Sequence, residues 1–340
     1  MQDAPKIQLD RRPRAYPAPE FPPRKPRLFA RTPPAIFPVI LGLLGLGLAA
    51  RKAAGSLGLA ETPAGGVVEA ALGALLVLWA FAVLALLVKV ARRPAVLVED
   101  MKVLPGRAGL AAASMSGMAA AAVLVPYAPG AALWLALGAL VAHAGLAVLF
   151  LAVILRLPPE ARGVTPAFHL AFVGFIVAAL PLVSLGWLGL ATAIFWATLA
   201  AALLIWGASA RQFLRMVPPA PLRPLLAIHL APAALLSQGA GLLGMPELAM
   251  GLAAVGAVLF LALLSAARWL TASGFSAMWG AFTFPLASFT SALLALGGTW
   301  EAPGMALLAL SLAVIPAIGW NVLKLWPGNR LATRTNAAEA

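Results

Sequence analysis

The chain has 340 residues, of which 62% are hydrophobic and 10% charged, against roughly 25% charged in an average soluble domain. A soluble globule this apolar lacks the polar cover its surface needs, and repeated apolar runs able to cross a bilayer core of about 30 Å indicate a polytopic, all-α integral membrane protein. Zero cysteines exclude disulfides, thiolate metal sites and cysteine nucleophiles, and the formal net charge of +13 gains meaning only once placed relative to the membrane.

Residues 1–34 are rich in Pro and Arg with no apolar period, which predicts a disordered basic cytoplasmic tail within reach of anionic headgroups. No short apolar stretch with a cleavage site follows, as a signal peptide requires. The tail also lacks the interleaved aromatics of a nucleic-acid arm, so no nucleic-acid partner is expected. A transmembrane domain over 35–326 then contains ten spans, near 35–51, 65–91, 108–126, 130–155, 166–185, 187–208, 222–243, 248–269, 275–297 and 302–325. The runs are continuous, without the alternation of barrel strands. Residues 327–340 read as a second solvated cytoplasmic tail.

The basic residues orient these spans. Ten crossings put both termini on one side, and that side then holds 22 of the 24 Lys and Arg. The other side keeps Arg51 and Lys52, beside Glu61, Glu247 and Glu301. Positive-inside bias therefore predicts that both termini are cytoplasmic.

Prolines divide the spans. Pro38 falls in the first, Pro126 ends the third, Pro166 and Pro181 lie in the fifth, Pro224 and Pro232 in the seventh, and Pro285 in the ninth. The even spans hold only Pro316 and, at the start of the tenth, Pro303. Proline removes an N–H and kinks a helix, and the freed carbonyl needs protein or water in a membrane. The pattern fits five helical hairpins, with proline-kinked odd helices around a central pore and straight even helices against lipid, although packing kinks alone would also place prolines in membrane helices.

No acidic residue sits at a midplane and no Asp follows residue 100, which weakens a carboxylate proton relay and removes paired carboxylates for acid–base catalysis. His143, His169 and His229 lie on separate spans without metal-ligand spacing. His143 is expected to bond a neighbouring helix. His229, in His229-Leu-Ala-Pro232, is the histidine expected to touch a permeant anion. Walker and Rossmann glycine patterns are missing, so neither cofactor nor ATP is implied, and no enzymatic activity is expected. Small residues at 111–117, 237–239 and 287–288 permit close helix approach and offer hydroxyls to a lumen. A lumen without fixed charge favours conduction over tight capture.

The ninth span contains Trp279-Gly-Ala-Phe-Thr-Phe-Pro-Leu286. Phe282 and Phe284 stand about 200° apart on a helix, so only one can face a lumen, and packing of both against neighbours is the plainer reading of the residues themselves. With Pro33-Pro-Ala-Ile-Phe37 and Gly42, Trp134…Gly138…His143, and Leu225-Leu-Ala-Ile-His-Leu-Ala-Pro232, this segment resembles the tellurite-resistance/C4-dicarboxylate transporter family. That family includes the bacterial TehA proteins, fungal malate permeases and plant slow anion channels.

The resemblance covers roughly 32–326 and implies five hairpins about a pore, a homotrimer with one pore per subunit, and a phenylalanine plug that corresponds to Phe284. It places Phe37 and Leu235 near that plug, with His229, Pro232 and Pro285 in the pore wall. Pro126 departs from the family pattern by lying at the end of the third helix instead of within it. The expected function is gated passage of small anions through a bacterial inner membrane. The alternative is a coupled carrier for C4-dicarboxylates or tellurite.

Overall fold

The computed structural model describes residues 27–158 and 162–340, so most of the basic tail (1–26) lies outside the described residues. Those residues form helices and no strands. A 3₁₀ turn at Pro34–Ile36 leads into α1 (Phe37–Ser56), followed by α2 (Pro63–Arg92), α3 (Val96–Lys102), α4 (Leu104–Leu124) and α5 (Pro129–Arg156). Prolines occupy the first turns of α1, α2, α4 and α5, where an N–H has no helical acceptor and a fixed φ costs nothing. A π-helical turn at His169–Val173 precedes α6 (Ile176–Ser184) and α7 (Leu188–Phe213). A ten-residue 3₁₀ segment, Ala220–His229, feeds α8 (Leu230–Leu242). The chain continues through α9 (Pro246–Ser265), α10 (Ala267–Leu270), α11 (Gly280–Leu296), α12 (Glu301–Leu323) and α13 (Arg330–Arg334). Gly186 and Gly244 end α6 and α8 at φ of +82° and +76°, where a side chain would be strained.

Nine helical stretches among the described residues are long and apolar enough to cross a membrane. They fall into two sets. Leu104–Leu124 is 83% buried, and Pro34–Ser56, Ala220–Leu242 and Ala277–Leu296 are similar, whereas Pro63–Arg92 and Pro246–Ser265 are only 22% buried. The buried set is the less hydrophobic one. Helices that face lipid need a continuous apolar surface, whereas helices packed together need small residues that let backbones approach. Trp134, Val141, Leu204, Val258 and Trp320 accordingly stand exposed on α5, α7, α9 and α12.

The segment expected to form the fifth span is shorter and broken. Gly174 N–H donates to His169 O at 3.0 Å, five residues back, and only His169–Ser184 is continuously helical. The break lies at the π turn, Pro166 standing ahead of it and Pro181 removing one N–H donor inside α6. The expectation of proline kinks in every odd helix also needs correction. Pro38 and Pro105 sit in first turns and Pro126 lies beyond α4, so neither α1 nor α4 has an interior proline. The even span α12 carries Pro316 in its interior.

The segment 327–340 is not a solvated tail. Leu331 is fully buried, Ala338 N–H donates to Asp100 Oδ1 at 2.7 Å, and Ala340 N–H donates to Ala30 O at 3.0 Å. Asp100 is itself bonded to Lys89 Nζ at 2.7 Å, both side chains being fully buried, and Lys89 also donates to Thr32 O at 3.0 Å. By contrast, the neighbouring Arg93–Glu99 pair is about 40% exposed, where such pairs contribute little, although Arg93 still holds the Glu99 carboxyl below its ordinary range.

A buried pair is costly to leave half-made. Lys89→Met or Asp100→Asn alone should lower stability by about 3–5 kcal/mol, while the double change Lys89→Met/Asp100→Leu should recover most of that loss. Thermal unfolding of the detergent-purified protein, read as loss of the monodisperse peak, checks the order.

Candidate conduit between the inner helices

The most extensively packed pair of helices is α1 and α11. A Cβ on Gly42 would lie 2.2 Å from Thr283 Oγ1 and 3.0 Å from the Phe284 nitrogen, so only glycine fits there. Thr283 Oγ1 lies 3.0 Å from Pro38 O and 2.7 Å from Gly280 O, tying α11 to the first turn of α1. One turn further, a Cβ on Gly45 would stand 3.3 Å from Cδ2 of Phe284 and 3.1 Å from the Ala287 methyl. The two glycines thus clear a seat for the Phe284 ring.

Beside that ring lies a void of about 490 Å³, its opening to solvent included. The first turns of three helices line it: Ala35 and Pro38 at α1, Pro105 and Ala108 at α4, Gly280 and Ala281 at α11. Phe284 and Pro285 close one side. A second, narrower void, about 200 Å³ with its opening to solvent included, shares Leu170 and Ile228 with the first, and is lined by Met115, Ala231 and Leu235, one to two helical turns further along α4 and α8. Each void wall is apolar apart from one side chain, His169. Helix N-termini carry a partial positive charge, so three such ends around the larger void favour an anion without any fixed cation.

The predicted wall residues separate in the structure. Phe284 and Pro285 line the larger void, Pro232 and Leu235 the smaller. Phe37 is fully buried and lines neither. His229 also lines neither: its Nδ1 lies 2.9 Å from His169 Nε2, and it is His169 that reaches the wall. In sequence His169 reads as a packing histidine like His143, and the one local signal for its facing is Gly174, where a Cβ would fall 2.2 Å from Leu170 O. Phe282, on the other side of α11, is half-buried and meets Trp279 edge-on at 5.9 Å.

The hydroxyls expected to face a lumen tie helices instead. Ser237 donates to Ala249 O at 2.7 Å, Gln238 Nε2 to Ser288 O at 3.1 Å, and Ser114 pairs with His143 Nδ1 at 2.7 Å. At the far ends of the helices, Arg51 makes a two-bond contact with Glu69, which also accepts from the Tyr127 hydroxyl at 2.8 Å. The carboxylate beside it pushes the Tyr127 phenol up.

A family model described as voltage-dependent anion channel, SLAC1, matches residues 31–325. The chain belongs to that family. None of the curated proteins matches it. Membership makes this chain a multi-pass membrane protein of anion transport, and the matched stretch runs from the turn ahead of α1 to the end of α12, taking in both voids. In this SLAC1-family member the approach of α1 to α11 fixes where Phe284 stands. Gly42→Ala should therefore separate the two helices and destabilise the protein by about 1–3 kcal/mol. Gly251→Ala, at a position with open space within 4 Å, should be neutral or gain up to about 1 kcal/mol. Thermal melts of the two variants test the contrast.

Proposed function

We propose that the protein is a gated channel for small anions, with the larger void as its cytoplasmic vestibule and Phe284 as the plug. The observation that carries this reading is the meeting of three helix N-termini at an apolar void whose inner side is the Phe284 ring. An apolar constriction blocks ions by excluding water, and a vestibule without fixed charge binds a permeant ion too weakly to trap it. No Asp or Glu lines either void among the described residues, which favours a channel over a proton-coupled carrier of C4-dicarboxylates or tellurite.

The topology belongs to the same reading. Ala30 and Ala340 are bonded to each other, and on this reading an even number of crossings separates these two residues. On this reading the nine long helices and the broken segment at 169–184 together make ten crossings, paired as five hairpins. Ala35 and Pro105 lie within five residues of Ala30 and Asp100, which puts the vestibule on that face. It is the face assigned 22 of the 24 basic residues, where their field gathers anions. A homotrimer in the bacterial inner membrane, with one conduit per subunit, completes the proposal.

Phe284→Ala tests it. Lowering a barrier by about 1.4 kcal/mol multiplies a rate about tenfold, and removal of the plug should raise chloride current in planar bilayers by at least that factor. An unchanged current would remove Phe284 as the gate. Malate flux that saturates and follows an imposed proton gradient in liposomes would replace the channel with a carrier.

A further inference from the structure

Among the described residues, His169 is the one polar side chain in the walls of the two voids. It is 2% exposed, and its Nδ1 is buried with no hydrogen-bond partner among the described residues. Its other nitrogen, Nε2, lies 2.9 Å from His229 Nδ1, and the two rings meet edge-on at 4.9 Å. Behind the pair stands Trp206 of α7, whose indole N–H donates to His229 O at 3.2 Å and whose ring lies 5.7 Å from that of His169.

The backbone holds His169 in this position. Its carbonyl accepts the Gly174 N–H that defines the π turn. A Cβ at Gly174 would fall 2.2 Å from Leu170 O, 2.8 Å from Met115 Sδ and 2.9 Å from His143 Cε1, so the turn closes only around glycine. Such turns recur at functional sites because they re-aim one side chain without ending the helix.

We propose that His169, oriented by His229, is the hydrogen-bond donor that a permeating anion meets in the smaller void, and that it sets which anions pass. The inference rests on the reading of the chain as an anion channel. A neutral imidazole has one N–H. If His229 Nδ1 donates to His169 Nε2, the single proton of His169 sits on Nδ1, the unpartnered nitrogen. The opposite proton order leaves a lone pair there. An anion in the smaller void selects the first order, and the pair thereby supplies a neutral donor that costs no fixed charge. An anion that has shed part of its water gains most from such a donor when it is small and strongly hydrated. Chloride should therefore depend on His169 more than nitrate does.

The test is bi-ionic reversal potential in planar bilayers, with Phe284→Ala as the conducting parent. Adding His169→Leu should lower the chloride-to-nitrate permeability ratio by roughly three- to tenfold while nitrate current persists. His169→Gln, which retains an N–H donor, should restore part of it, and His229→Leu should shift the ratio in the same direction as His169→Leu. An unchanged ratio in a conducting His169→Leu protein overturns the proposal. Nitrogen-15 spectra of histidine-labelled wild-type protein in lipid give a readout that needs no variant to fold. With three histidines in the chain, one Nδ1–H resonance should move as chloride replaces gluconate. No movement overturns the donor site. An anion-dependent shift in a protein whose Phe284→Ala variant carries no current would uphold the site and sink the channel reading instead.

Discussion

The rest of the molecule depends on how closely α1 approaches α11. Gly42 lies where any side chain would collide with Thr283, and Thr283 uses its hydroxyl on the carbonyl of Pro38. That contact fixes the register of the two helices, and with it the height of the Phe284 ring above the seat cleared by Gly45. The larger void is what remains when the first turns of α1, α4 and α11 are held at that spacing. The same economy recurs at Gly109, where a Cβ would meet the backbone of Pro34 at 2.3 Å. Small residues in the inner helices are thus the means by which the conduit is positioned, in an environment that offers no hydrophobic force between helices.

Polar side chains in the membrane region are used on carbonyls of their own helix, as Thr198 and Ser288 are, or between helices. Gln238, Ser237, Ser114 and the Thr290–Ser311 pair at 2.9 Å each join two elements. Every such group satisfied by protein is one withdrawn from the conduit wall, and the wall is apolar as a result. Selectivity in such a path has to come from backbone dipoles and from the few donors left over. A wall of this kind passes ions quickly because it holds none of them for long.

Much of this was legible in the sequence, and the division into inner and outer helices most of all. Leu104–Leu124 is the less hydropathic of the pair with Pro63–Arg92, because lipid contact demands continuous large apolar residues and helix contact does not, whereas the proline pattern did not mark the division. Phe284 was legible through its neighbour Pro285 and the family resemblance, and the structure sets it on the wall of the larger void. The roles of His229 and His169 were not, since a histidine's facing depends on whether its helix is α, 3₁₀ or π, and a difference of one residue per turn moves a side chain far around the axis. Phe37 shows the same limit: the 3₁₀ turn before α1 decides its facing, and its burial follows. The docking of 327–340 was hidden for another reason. Its only clues are Leu331 and Ala332, and the groups that receive it stand more than 200 residues earlier in the chain.

That long separation bears on how the protein is made. Lys89 and Asp100 are synthesised early and enter the forming membrane domain at the end of α2 and in α3. The N–H of Ala338, which completes the carboxylate's bonding, arrives 238 residues later. Until then a buried ion pair is short of a partner, and the turn at Thr32 that leads into α1 is held from one side only. The fastening of the turn ahead of α1 is therefore complete only once the last residues of the chain are made. The last ten residues thus carry the bonds that return the far end of the chain to Asp100 and to Ala30 ahead of α1.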